Sequence, residues 1–337
     1  MAKNLEIVLY NESYKEKWDN FVMNKSVNGT FLQTKRFLDY HAANCFHDNS
    51  ILFINGNDIV AVIPGHIISS TQKKTLCSHL GSTFGGIVLD KHCCKISYID
   101  TIFSKLHQYL IEENFTDILL KQTSRIYQKV ESEILDYYLF LNGYSNFQEV
   151  GYYIDYNRYD NDIISNFSAS TRRDYRYSLK KEFIFKELSN IDEIEKFYKV
   201  LCDNYKKFSK KPIHSLEELI DFKFNRLNSE VKFFGIYFEK ELIAGSMVFL
   251  FEKQVFHTQY IAVLQNRTKI FVSEFLYKNL IELAKNSGYR YLSFGTATLN
   301  NGKIFNRQLA KFKESFGTIG YTNKIYYKSL KSGCVID

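Results

Sequence analysis

The stretch Thr171-Arg-Arg-Asp-Tyr-Arg176, followed by Lys180 and Lys181, packs five cations into eleven positions of a segment that reads as a helix. At helical spacing some of them must share a face. Planar guanidinium forks grip phosphate oxygens in pairs, so a cluster of them suits a diphosphate; a solvated basic face would show the same spacing. A second stretch, Tyr291 to Gly317, reads as a short apolar strand ending at Gly295, then a polar loop with Gly302 and Asn306. A basic helical turn with Lys311 and Lys313 follows, closed by Gly317. A strand that ends on glycine leaves backbone groups open to a ligand, and in open α/β sheets ligands gather at strand ends. Ordinary turn and cap glycines beside a solvated lysine face remain the alternative. Candidate proton carriers are Glu274 at a helix start, His257 and Tyr260 on the preceding strand, and His41 near the amino end; each also suits a packed structural role.

The elements that must position these groups recur. Ile51-Leu-Phe-Ile and Ile59-Val-Ala-Val-Ile flank Asn55-Gly-Asn-Asp58, a hairpin signal. A helix is predicted from Ser97, which resembles its cap together with Asp100, and others over 12–23, 35–43 and 131–142, the last closed by Gly143. In the second half, Asn190/Glu193 and Ser215/Glu218 suit capping boxes, Val231–Phe249 reads as a hairpin around Glu239-Lys-Glu241, and a helix from Ser273 stops at Gly288. Hairpin, helix, strand and closing glycine repeat at an offset of about 175–180 residues, which implies duplication. The expected division is 1–157, 158–330 and a short tail at 331–337, in a mixed α/β (α+β) architecture.

With 337 residues, 45% apolar and 24% charged, the chain has enough material for two globular domains. It has no apolar run of membrane-spanning length and no leader-like start, so we expect a cytoplasmic protein, with peripheral membrane contact left open. The six cysteines show no Cys-x-x-Cys spacing, and the neighbours Cys93 and Cys94 cannot readily point at one tetrahedral ion; no metal is expected. A net charge of +7 favours an anionic partner without choosing among a phosphate-bearing small molecule, RNA and an acidic membrane.

Four pieces, in order, resemble the Fem-type peptidyltransferases, a branch of the GNAT acyltransferase superfamily. They are Phe31-Leu-Gln-Thr-Lys-Arg-Phe-Leu-Asp-Tyr-His41, Ser78-His-Leu-Gly-Ser-Thr-Phe-Gly-Gly86, Phe167-Ser-Ala-Ser-Thr-Arg-Arg-Asp-Tyr-Arg176, and Phe294-Gly295 through Phe312-Lys-Glu-Ser-Phe-Gly317. The resemblance implies two tandem GNAT-like domains and transfer of an acyl or aminoacyl group to an amine of a phosphate-linked cell-envelope precursor, either peptidoglycan or an amino sugar of a surface polysaccharide. It implies that Arg172, Arg173 and Lys313 contact the phosphates of a nucleotide- or lipid-linked sugar precursor. Gly295, Asn306, His41 and Tyr260 would complete the binding site, and Lys313 and Glu274 would serve catalysis. No tightly bound cofactor is expected; the donor would be aminoacyl-tRNA or acyl-CoA. The turn that cradles CoA pyrophosphate in many GNAT enzymes has no glycine here across Val263–Ser273, which weighs against CoA. A conventional acyl-CoA N-acetyltransferase is the alternative enzyme, and an RNA-binding or assembly protein on the same fold is the non-enzymatic one.

Overall fold

The computed structural model describes residues 5–42, 45–207 and 209–330. The first four residues and the expected tail with Cys334 lie outside the described residues. The chain divides into two compact units, one running to Glu149 and resuming at Thr322, the other Val150–Tyr321.

The first unit begins with β1 (Leu5–Leu9), α1 (Lys15–Asn20), α2 (Lys35–Leu38), β2 (His47–Asp48), β3 (Ile51–Asn55), β4 (Asp58–Ile63) and β5 (His66–Ser69). It continues through β6 (Lys74–Ser78), β7 (Val88–Leu89), α3 (Ile96–Glu112), β8 (Asp117–Lys121) and α4 (Ile134–Leu141) into β9 (Ser145–Asp155). The second unit holds α5 (Ala169–Ser178), β10 (Ile184–Leu188), α6 (Ile191–Lys206), α7 (Leu216–Asp221), β11 (Val231–Phe238), β12 (Glu241–Phe251) and β13 (Val255–Val263). After these come α8 (Val272–Asn286), β14 (Tyr291–Thr296), β15 (Thr298–Leu299), β16 (Ile304–Phe305), α9 (Arg307–Glu314) and β17 (Ile319–Ser329).

Each unit contains a parallel crossover. In the first, β6 runs parallel to β8 with α3 between them; in the second, β13 runs parallel to β14 with α8 between them. Helix α3 buries Ile99, Phe103, Leu106 and Leu110, the stripe its periodicity predicts, and α8 likewise buries Leu276 and Leu280. Both repeats then add a short helix, α4 or α9, ended by a glycine at left-handed φ: Gly143 at +73° and Gly317 at +78°. Mixed α/β architecture is therefore what the sequence led us to expect.

Local expectations differ at several points; α1 and α4 are shorter than the 12–23 and 131–142 expected of them. The domain joint does not fall near residue 157, because residues 151–155 of β9 pair with β14 of the second unit, while residues 325–329 of β17 pair with β8 of the first. Unit membership follows that pairing. Of the described residues in 35–43, only Lys35–Leu38 are α-helical; Asp39 ion-pairs Lys15 where the chain turns. Helix α3 starts at Ile96, before Ser97, so Lys95 stands at its cap and offers no side-chain bond.

In the first unit, Trp18, the chain's one tryptophan, is fully buried and donates to the Gln33 carbonyl at 2.8 Å. His66 is 2% exposed, with neither ring nitrogen hydrogen-bonded, and packs between Phe46 and His79 at centroid distances of 4.8 and 5.1 Å. Burial drives its pKa down to about 4. Below an ordinary histidine pKa the unfolded chain takes up a proton that this folded ring refuses, so the residue costs stability progressively as pH falls from about 6.5 toward 4. His66→Leu removes an orphaned donor and acceptor and is expected to stabilise the first unit by about 1–3 kcal/mol at pH 7. The gain should grow at pH 5, read as the urea midpoint of Trp18 fluorescence at the two pH values.

Candidate functional site

In the second unit the parallel pairing of β13 and β14 covers three positions, Val255–Tyr291, Phe256–Leu292 and His257–Ser293. Both strands then continue, β13 to Val263 and β14 to Thr296, without pairing to each other. Parallel strands that part inside a sheet open a wedge whose walls carry unshared backbone groups. Two irregularities sit at the mouth. The β12–β13 register jumps so that Gln259 has no partner opposite, and the β14–β9 register skips Phe294. A bulge of this kind re-aims backbone and side chains locally.

Gly295 lies just past the second irregularity at φ +69°, a left-handed backbone that favours glycine, and an added Cβ would sit 3.7 Å from the His257 ring. Its carbonyl and that of Thr296 receive the Lys313 ammonium, at 3.0 and 2.7 Å. Lys313 is 4% exposed, on the side of α9 that also buries Ala310. The carbonyls holding it are neutral, no carboxylate among the described residues ion-pairs with it, and burial lowers its pKa to about 7. The sequence placed Gly295 and Lys313 eighteen positions apart; the fold joins them.

Beside this pair, His257 Nδ1 lies 3.0 Å from Ser293 Oγ, and Tyr321 OH is 3.4 Å from the same oxygen. Ser293 Oγ also accepts the Gly295 N–H at 3.2 Å. Burial first, and then the Lys313 charge, lower the His257 pKa to about 4, so the ring is neutral at pH 7. Ser293 and Tyr321 escaped the sequence reading. A serine inside an apolar strand and one tyrosine among 25 carry no pattern, and only the tertiary register brings them to one histidine.

The other second-unit candidates have neighbours of their own, apart from the Lys313–His257 group. Helix α5 packs along α8 through Tyr175 on Phe275 and Tyr177 on Phe271, with centroids 6.4 and 5.9 Å apart. It is tied to the end of α9 by Thr171 Oγ1, which donates to Ser315 Oγ at 2.8 Å. On α5, Arg172 donates to the Ser165 carbonyl at 3.1 Å, Arg173 pairs with Asp174 at 2.8 Å and Arg176 is exposed; the helix ends at Ser178, so Lys180 and Lys181, also exposed, lie beyond it and not on the helix the sequence suggested. Glu274, in the first turn of α8, has its pKa raised by burial and, less strongly, by the Asp174 charge. Phe271 precedes that turn at φ +58°, so the backbone takes a left-handed step without a glycine. Tyr260 shares a 2.7 Å hydrogen bond with His214 Nδ1. Asn306 caps α9 by accepting the Leu309 N–H at 3.0 Å.

His41 belongs to the first unit. It lines a pocket of ≈ 490 Å³ with Lys35, Phe46, Asp48 and His79, and its ring lies so close to Gly81 that a Cβ there would fall 2.0 Å from Nε2. Among the described residues no His, Cys, Asp or Glu trio has the arrangement of a metal site.

No protein-family model and no curated protein matches the chain. Solved structures do. FemX is 10% identical and superposes with a TM-score of 0.67 over 95% of this chain and 96% of its own. The C-terminal domain of a putative lysylphosphatidylglycerol synthetase from Agrobacterium fabrum is 10% identical, with a TM-score of 0.61 over 94% and 92%. A tandem GNAT protein from the clavulanic acid biosynthesis pathway is 8% identical, with a TM-score of 0.55 over 98% and 100%. These likenesses run nearly end to end through both units, and the chain has the Fem-type tandem GNAT fold.

Proposed function

We propose that the protein is an acyltransferase that moves an acyl or aminoacyl group onto an amine of a phosphate-linked cell-envelope precursor, with its chemistry at the β13–β14 wedge. The observation that carries this reading is Lys313, a nearly buried cation held at the strand end by the Gly295 and Thr296 carbonyls. When an amine attacks a carbonyl, negative charge develops on the carbonyl oxygen. A preorganised cation in a dry site stabilises that charge at little reorganisation cost. With a pKa near 7 the lysine can also give or take a proton at neutral pH. His257 is too weak a base at that pH to drive the attack alone; anchored by Ser293, it orients the reacting groups and hydrogen-bonds them. Arg172 and Arg173 would engage acceptor phosphates on leaving their present partners, since neither is held by more than one neighbour. The glycine-free turn before α8 weighs against acyl-CoA, and the resemblance of the sequence motifs to Fem-type enzymes implies an aminoacyl donor.

The test is label transfer. The protein is incubated with aminoacyl-tRNA or with acyl-CoA, each beside a nucleotide-linked amino sugar and a peptidoglycan precursor. Transfer from charged tRNA to an amine is the expected result. Transfer from acyl-CoA alone would establish the conventional N-acetyltransferase instead, and salt-sensitive RNA binding without transfer would favour a non-catalytic protein.

A further inference from the structure

Between β14 and Glu314 the second unit projects a small hairpin, β15–β16, in which Leu299 stands directly opposite Ile304. Opposed residues of an antiparallel pair share a face, and these two are 54% and 53% exposed, with Phe305 and Leu309 also exposed. The turn between them, Asn300-Asn301-Gly302, is left-handed at all three residues. Lys303 adjoins this apolar tip in the turn, and Arg307 and Lys311 follow on α9, all exposed and none with an ion-pair partner among the described residues; the Arg307 guanidinium rests 5.7 Å from the Phe305 ring centre. No acidic residue occurs from Leu283 to Lys313.

Unpaired cations beside exposed aliphatic side chains select their partner by chemistry. Nucleic acid would satisfy the charges but leave Leu299 and Ile304 in water, because aliphatic side chains cannot stack on bases. An anionic lipid surface satisfies both: the apolar tip enters the headgroup boundary while the cations meet the phosphates. No described helix is long and apolar enough to cross a membrane, so the contact would be peripheral. We propose that the β15–β16 hairpin and the exposed face of α9 dock the second unit on anionic membrane. The proposal does not rest on the acyltransferase reading.

Co-sedimentation of the full chain with phosphatidylcholine vesicles, with and without phosphatidylglycerol, tests it. Binding is expected only to the anionic vesicles and should fall as salt is raised. Each juxtamembrane cation contributes about a five-fold gain in partitioning, so Lys303→Gln with Arg307→Gln should weaken binding about 25-fold. Leu299→Ser with Ile304→Ser should weaken it as well, without changing the salt dependence. The two pairs are read separately, so either decides if the other misfolds. Equal binding to neutral vesicles, no binding to any, or unaltered binding by a folded variant would overturn the proposal. So would loss, in these variants, of tRNA binding or of a concentration-dependent dimer while vesicle binding persists.

Discussion

Lys313→Met is expected to lower kcat/KM by about 10²–10³, the loss seen when one preorganised donor to a developing oxyanion is removed, while leaving the second unit folded. The stability side of this expectation follows from linkage. A lysine whose folded pKa is about 7 binds fewer protons folded than unfolded from about pH 7 to 10.5. Wild-type stability should therefore rise with pH across that window, as the unfolded chain gives up the proton the folded chain has already lost. The methionine variant should lack the rise. At pH 7 two effects oppose each other: the variant is relieved of a buried cation, yet leaves two carbonyls without their Nζ donor. Thermal melting should thus shift little, a separation of activity from stability typical of residues kept for function. The pH profile gives an independent reading. If the ammonium form is the working one, kcat/KM should fall as pH rises through about 7, and the residual activity of the variant should not. A variant with wild-type turnover would remove Lys313 from the chemistry.

What sequence alone could say about this site divides along physical lines. Gly295 and Gly317 were legible because a left-handed backbone leaves a residue-type signature, and both carry it. The stripes of α3 and α8 were legible because a helix buries one face at a fixed period. The boxed cap of α7, Ser215 with Glu218, appears as its spacing suggested; at α6 Asn190 accepts the Glu193 N–H, and the Glu193 carboxylate in turn accepts the Ser189 N–H. The wedge was not legible. Where two parallel strands part depends on the packing beneath them, and the letters of Tyr260 or Thr296 do not encode it. Ser293 and Tyr321 illustrate the same limit. Their meeting at His257 depends on β14 and on a strand 28 residues further along, and a one-residue slip in either would turn the side chain to the opposite face. The pairing of β9 with β14 and of β17 with β8 was invisible for a related reason: neither strand's own residues name its neighbour.

The internal repeat supplies a matched pair of substitutions with unequal expected costs. Gly143 closes α4 and Gly317 closes α9, at φ +73° and +78°, so alanine at either position bears the same backbone penalty of about 1–2 kcal/mol. Their surroundings differ. A Cβ on Gly143 meets nothing within 4 Å, whereas one on Gly317 falls 2.8 Å from the Asn166 carbonyl oxygen and 3.1 Å from the Tyr159 ring. Backbone cannot step aside as a side-chain tip can, and overpacking of this kind adds about 1–3 kcal/mol. Gly317→Ala should therefore destabilise by about 2–5 kcal/mol and Gly143→Ala by about 1–2, the difference isolating the packing contribution. The clash falls on the joint that seats α9, where Tyr159 OH donates to the Phe316 carbonyl at 2.7 Å and the Ser168 N–H donates to the Ser315 carbonyl at 2.8 Å. Displacing that joint would draw Lys313, four residues earlier, away from Gly295 and Thr296. Gly317→Ala should thus lose transfer activity even at temperatures where circular dichroism shows it folded, and Gly143→Ala should keep it. Equal losses in the two variants would mean that the seat of α9 does not control the lysine.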